Sequence, residues 1–182
     1  MAGCGGSSSK SNPGLNQTLP ATTGATTGSS PTVTADVAGQ AKADALNAYK
    51  GMVAATTREF AVDSADPDLT TYVYGTAFGF FNTLLQFRIT NNIVYQGTPQ
   101  SNPVVTDVKP DATPPTATIT DCYGGPNYKP VFASDKAGHK KGDSALAPGT
   151  AIAAHPVTAV LEEKDGHWLV INYTQSAPGQ TC

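Results

Sequence analysis

The stretch that most constrains this chain is its C-terminal end, AIAAHPVTAVLEEKDGHWLVINYTQSAPGQTC, from Ala151 to Cys182. Two apolar runs, Ile152–Leu161 and Trp168–Tyr173, flank the turn-like Glu163-Lys164-Asp165-Gly166. Asp-Gly between two such runs is a strong short-range signal for a β-hairpin, because both residues tolerate the positive φ of a tight type I′ turn. Pro156 cannot donate a ladder hydrogen bond, so it marks a bulge or the start of regular pairing. We expect this hairpin at the centre of a curved sheet. The chain then ends on Cys182, Cys122 lies within the part that should fold, and Cys4 stands alone near the N-terminus. The reading adopted is that Cys182 pins the chain end onto the strand carrying Cys122; two free thiols is the alternative.

Charged residues make up 14% of the sequence, and the formal net charge is −3. That balance supplies no basic field for nucleic acid and no polybasic patch for a membrane surface. Thr, Ala, Ser, Gly and Pro take the place of charge, which suits an exported bacterial protein. No apolar run approaches the roughly 20 residues a membrane span needs. The opening Met1-Ala2-Gly3-Cys4-Gly5-Gly6-Ser7-Ser8-Ser9 looks like the end of a bacterial lipoprotein signal, in which a small residue and Gly precede the cysteine that receives lipid. Cys4 is therefore the expected lipid-attachment residue, with the basic and hydrophobic parts of a signal peptide belonging to a longer precursor. The protein is expected to be extracytoplasmic, anchored to the outer face of the cell membrane through Cys4. Residues 1–31 read as the lipobox remnant followed by a disordered Gly/Ser/Thr/Pro tether, since such a segment cannot bury enough apolar surface to offset its ordering entropy. About 30 flexible residues would reach roughly 30 Å. The folded domain is expected over residues 32–182.

Within that domain the helix signals come first. Thr32 or Thr34 can cap a helix, with Asp36 in its first turn. Val37, Ala41, Ala45, Ala48, Tyr49, Met52, Val53, Thr56 and Phe60 then recur at three- and four-residue steps, one apolar face of about 25 helical residues. Gly51 should weaken this helix slightly. Asp66-Pro67-Asp68 has the pattern of a second helix start, and a short helix to about Tyr72 is expected. Tyr74–Thr90 reads as a third helix, with Ala77, Phe80, Phe81, Leu84, Leu85 and Arg88 at helical spacing. Asn91-Asn92 should stop it, because Asn tolerates the left-handed C-cap conformation. The rest reads as strands: Ile93–Gly97, Val104–Lys109, and Thr116–Cys122 with Ala117, Ile119 and Asp121 on one face. Residues Tyr123–Gly149 look like a long loop with a brief strand at Pro130–Ala133. The expected class is α+β, three N-terminal helices packed on a strongly curved, mostly antiparallel sheet.

Several separated stretches also carry a resemblance: Ala45-Leu46-Asn47-Ala48-Tyr49-Lys50 in the opening helix, Asn91 to Pro99, Thr120-Asp121-Cys122, Asp165-Gly166-His167-Trp168-Leu169-Val170, and the terminal cysteine. Over roughly Thr34–Cys182 the chain resembles the actinobacterial secreted lipoproteins with a nuclear transport factor 2-like (SnoaL-like, cystatin-related) domain. The resemblance implies a cone of three helices wrapped on a bent sheet, export, and a Cys122–Cys182 disulfide. It implies no activity.

A catalytic cavity would need a buried carboxyl or imidazole and a donor aimed at a developing oxyanion. Asp121, His155, His167, Tyr49 and Tyr173 are the available groups, and none sits in a family catalytic motif. Asp121 is expected to make a structural hydrogen bond, and His155, His167 and His139 to be surface or strand-edge residues. No catalytic residue is therefore assigned. The three histidines are scattered, without Cys-x-x-Cys or His-x-x-x-His, so no metal or other cofactor is expected. Core packing is the simplest account of the aromatics. The alternative is that Tyr49, Phe81, Tyr95, Trp168 and Tyr173 line an apolar pocket. The functional expectation is a non-catalytic binding module for a small apolar ligand or a protein partner in the cell envelope. Two alternatives stand beside it: an interaction or structural protein of the cell surface (a wall-assembly accessory or a prophage-encoded exclusion protein), and a small-molecule isomerase or dehydratase. A homodimer through an outer sheet face with Trp168, Val170 and Val160 is a further expectation.

Overall fold

The computed structural model describes residues 32–182 apart from 137, 151 and 178, with side chains described from 36 onward. Cys4 and the expected tether, residues 1–31, lie outside the described residues. The folded unit spans Pro31–Cys182.

The long amphipathic helix forms as the periodicity requires. It is α1, Thr32–Ala61. Ala45, Tyr49, Met52, Ala55, Thr56, Glu59 and Phe60 form its buried face. Val37, counted toward that face in the sequence, is half exposed. Gly51 has a packing role beyond its weak helix propensity. A Cβ there would sit 2.3 Å from a ring carbon of Tyr72, so only glycine lets that ring lie against the helix.

The three-helix expectation is overturned. The described residues hold two α-helices, α1 and α2 (Gly75–Asn91), and between them a single 3-10 turn at Leu69–Thr71. The Asp-Pro-Asp start does form, with the Asp68 N–H donating to the Asp66 side chain at 2.9 Å. It cannot propagate, because the backbone that would continue it is already engaged. Val170 donates its N–H to the Tyr72 carbonyl, and Tyr74 donates to the Val170 carbonyl. Residues 72–74 thus lie along a sheet edge, which suits the β-branched Val73 better than a helix does. The Asn stop holds: Asn92 is left-handed, φ 60°, and its N–H donates to the carbonyls of Arg88 and Ile89.

The single curved sheet is also overturned. The six strands make two antiparallel sheets. One contains β2 (Val104–Lys109), β3 (Thr116–Gly124), β5 (Ala154–Lys164) and β6 (His167–Gln175), in the order β2-β3-β5-β6. The other pairs β1 (Ile93–Gly97) with β4 (Tyr128–Phe132). The brief strand expected at Pro130–Ala133 forms as part of β4 and starts earlier, at Tyr128, and β3 runs on through Gly124, so less of residues 123–132 is loop than the sequence suggests. Gly124 and Gly125, both at φ near 100°, turn the chain from β3 into β4, a conformation closed to most side chains. Pro130 is tolerated in β4 because that strand has β1 as its partner and is an edge.

The β5–β6 hairpin forms with Asp165 and Gly166 both at positive φ, the type I′ geometry. Regular pairing of β5 with β6 begins at Val157↔Gln175, one residue past Pro156. The hairpin is not central, since β6 is the outer strand of its sheet. A register shift opposite Val160/Leu161 leaves Ile171 as the extra residue in β6, and the inward face passes from Trp168 and Val170 to Tyr173. Inward positions of β3 and β5, with the buried faces of both helices, form one core. Each fully buried Ile, Leu or Val there contributes about 1.5–3 kcal/mol relative to exposure. Cys122 points away from this core, and its disulfide to Cys182 closes a separation of 60 residues with Cα atoms 6.0 Å apart. The terminal Cys182 N–H also donates to the Ala154 carbonyl.

Candidate functional site

Strand β3 sends Ala117, Ile119, Asp121 and Tyr123 to the same buried face. The two polar members of that row have opposite surroundings. Asp121 is saturated: the Tyr49 hydroxyl donates to Oδ2 at 2.9 Å, the Ser101 hydroxyl donates to Oδ2 at 2.6 Å, and the Asn102 N–H donates to Oδ1 at 2.5 Å. Burial, with smaller effects of Tyr173 and Asp121, pushes the Tyr49 phenol far above its ordinary range, so it stays a donor. Asp121 thereby ties α1 to the loop before β2. That leaves it no free role as a base.

A second polar centre joins the helices. Glu59 and Arg88 are each 1% exposed. Their nearest charged atoms are 3.7 Å apart, an ionic contact longer than a hydrogen bond. Arg88 Nη1 donates to the carbonyls of Glu59, Phe60 and Val62, and the guanidinium lies 4.2 Å from the Phe60 ring centroid. Burial raises the Glu59 carboxyl above the usual range and lowers Arg88. Arg88 was visible in the helical stripe of α2. Glu59 was missed, because one acid among α1 polar residues has no distinguishing local signal.

Past Asp121 on the same strand, a cavity of about 280 Å³ opens between the helices and the β1–β4 pair. Phe60 of α1, Leu84 of α2, Tyr95 of β1, Tyr123 of β3 and Tyr128 of β4 line it, with Pro130, Leu146 and Ile152 among the other apolar residues. The rings form a chain: Phe60 to Tyr95 at 5.5 Å, Tyr95 to Tyr128 at 4.7 Å, Tyr128 to Tyr123 at 6.1 Å, and Tyr123 to His155 at 6.2 Å between centroids. Gly124 and Gly125 form a side-chain-free part of the lining, and Gln175 brings an amide. Tyr123 and Tyr128 are 7% and 4% exposed, and neither hydroxyl makes a hydrogen bond of ordinary geometry among the described residues, although the two hydroxyls face each other and that of Tyr123 also faces Thr56 and Thr57. His155 Nε2 has no hydrogen-bond partner among the described residues. Burial raises both phenols and lowers the imidazole, so all three groups are neutral near pH 7. Buried polar atoms without partners are uncommon in folded proteins, and three at one cavity call for an explanation.

The pocket candidates from the sequence separate. Tyr95 lines this cavity. Trp168 lines a different, open groove of about 530 Å³ beside the hairpin turn, together with His167, Asp44 and Glu163. Tyr49, Phe81 and Tyr173 are core residues, Tyr173 packing on Phe80 and Phe81 at 5.4 and 5.1 Å. His155, expected at a surface or strand edge, is half-buried in the cavity wall. Tyr123 and Tyr128 were not named in advance, because the segment holding them read as loop. The outer sheet face named for a dimer is also rearranged. Trp168 and Val170 point into the core, which leaves Val160 with Leu169 and Ile171 on the outer side, half-buried. No group of three or more potential metal ligands occurs among the described residues.

No family model matches the sequence, and no curated protein is similar to it. Among solved structures, the crystal structure of the intermembrane space region of chloroplast protein ARC6 is similar at a TM-score of 0.44 and 13% identity, over 75% of this chain and 96% of that one. A likeness this distant carries no argument about fold or function.

Proposed function

We propose that this is an exported cell-envelope protein, anchored by lipid on Cys4, whose folded domain is a non-catalytic module that binds a small, largely apolar ligand. The observation that carries the reading is the aromatic-walled cavity with three neutral polar atoms left without well-formed hydrogen bonds. Ligand sites are concave and mostly apolar, with a few polar groups fixing orientation, and their volumes begin near 300 Å³. The saturation of Asp121 supports binding over acid–base chemistry. The disulfide is compatible with an oxidising location outside the cytoplasm. Native mass spectrometry of the purified domain, with denaturing extraction of whatever travels with it, tests the ligand. A co-purifying small molecule, displaced when Leu146 at the cavity wall is replaced by Trp, is the expected result. Lipidation is tested separately, by labelling cells that express the native precursor with an alkyne fatty acid, where Cys4→Ala should remove both label and membrane retention.

A second reading, an interaction protein of the cell surface, is favoured by the outer side of α2. Phe87 is 56% exposed there and lines an open apolar groove with Phe80 and Leu84, and the helix's one charged residue, Arg88, is buried. Exposed apolar surface of this kind marks contact sites. A photo-crosslinker at position 87 should capture a partner in intact cells that one at position 158, on the far side of the sheet, does not.

A further inference from the structure

We infer that the cavity ligand is an uncharged, planar aromatic molecule of one or two rings that carries a hydroxyl or carbonyl group, held by stacking on Tyr95 and Tyr128 and hydrogen-bonded by Tyr123, Tyr128 and His155. The inference rests on the binding reading above and assigns the chemistry of that site. Three observations lead to it. The first is shape: four aromatic rings follow one another with centroids 4.7–6.1 Å apart from Phe60 through Tyr95 and Tyr128 to Tyr123, the spacing at which planar groups stack or meet edge to face. The volume of about 280 Å³ suits a small ring system rather than a lipid chain.

The second is charge. No Asp, Glu, Lys or Arg belongs to the lining, and an ion placed there would lose its hydration with no opposite charge to replace it. Arg88 lies outside the lining; its Nη1 is engaged by three carbonyls, its guanidinium lies against the Phe60 ring, and Nη2 stands 3.7 Å from Glu59 without a hydrogen bond among the described residues. The third is hydrogen bonding. A phenol can donate and accept, and a neutral imidazole can do either at Nε2 according to its tautomer. Two buried hydroxyls that face each other without a well-formed hydrogen bond, and one ring nitrogen without a partner among the described residues, would be better satisfied by a ligand hydroxyl or carbonyl than by a hydrocarbon. Selection should therefore rest on that polar group, as it does wherever a buried donor or acceptor would otherwise go unpaired.

The test uses three probes of one shape: 2-naphthol, naphthalene and 2-naphthoate, titrated at pH 7.5 into the oxidised protein and followed by amide chemical shifts. The expected result is that 2-naphthol binds about tenfold tighter than either of the others, with shifts centred on Tyr123, Gly124, Gly125 and Tyr128. The Tyr123→Phe/Tyr128→Phe variant should lose that preference while its naphthalene affinity changes less than about twofold. Leu146→Trp should abolish binding of all three, which locates the site. Equal affinity for naphthalene and 2-naphthol in the wild type would overturn the assignment and leave the binding module standing, as would tightest binding of the carboxylate. Binding of none of the three, or binding insensitive to Leu146→Trp, would overturn both. Amide spectra of each variant without probe establish that it is folded before affinities are compared.

Discussion

Asp121 and Tyr123 stand two residues apart on one strand, point to the same side, and are equally deep, at 6% and 7% exposure. One accepts three hydrogen bonds; the other has none. Between them Cys122 faces the opposite way and holds the chain end. Burial of a polar group is thus not one condition. A saturated carboxylate fixes elements against one another, because each donor removed from water has been given a charged partner. A buried phenol packs its ring in the core, but a hydroxyl without a well-formed hydrogen bond adds nothing to stability, and its desolvation is offset only when something enters. The first is architecture and the second is a binding site.

The comparison breaks first at Asp121. Asp121→Ala should remove about 3–4 kcal/mol from unfolding free energy in urea, since Tyr49, Ser101 and the Asn102 N–H all lose their acceptor in a buried place. A loss under about 1 kcal/mol would mean that the three donors find water, and that Asp121 is not a structural tie. Removing the disulfide that ties the chain end to the strand between these two residues comes next. Cys122→Ser/Cys182→Ser should cost about 2–4 kcal/mol, close to 4 by chain entropy for a 60-residue separation and less where the unfolded chain keeps structure. Thermal unfolding with and without reductant measures the same quantity on the unmodified chain.

Three tyrosine-to-phenylalanine changes sharpen the contrast directly. Tyr49→Phe should cost about 1.5–3 kcal/mol, because it strips a hydrogen bond from a buried carboxylate. Tyr123→Phe and Tyr128→Phe should each lie within about 0.5 kcal/mol of wild type, or above it, since each removes a hydroxyl without a well-formed hydrogen bond. Equal losses at all three positions would show that the cavity phenols are satisfied in solution. The smallest effect is in pH. Burial lowers the His155 pKa relative to its unfolded value near 6.5, so the unfolded chain takes up the proton first. The stability tied to neutral His155 is complete above that value and is lost as pH falls through the folded pKa. Melting temperatures between pH 7 and pH 4.5 should thus fall less steeply for His155→Gln than for wild type.

How far the chain could be read depended on whether the deciding interactions were local. The Asp165-Gly166 turn, the Asn92 stop and the amphipathic stripe of α1 are written in neighbouring residues, and each forms where the pattern puts it. The helix start at Asp66-Pro67-Asp68 is equally clear in the sequence, and it halts after one turn because Val170, nearly a hundred residues later, takes the backbone of Tyr72 and Tyr74. Two sheets instead of one, β6 at an edge, and Trp168 and Val170 facing inward all follow from pairing partners that no short window contains. The cavity is the extreme case. Its wall draws on both helices and five strands, and Tyr123 and Tyr128 reach it only because Gly124 and Gly125 turn β3 into β4. The sequence by itself determined the elements whose hydrogen bonds close within a few residues. Tertiary structure alone decided which buried polar groups found partners, because a partner's identity is a matter of distance in space, and distance along the chain does not encode it.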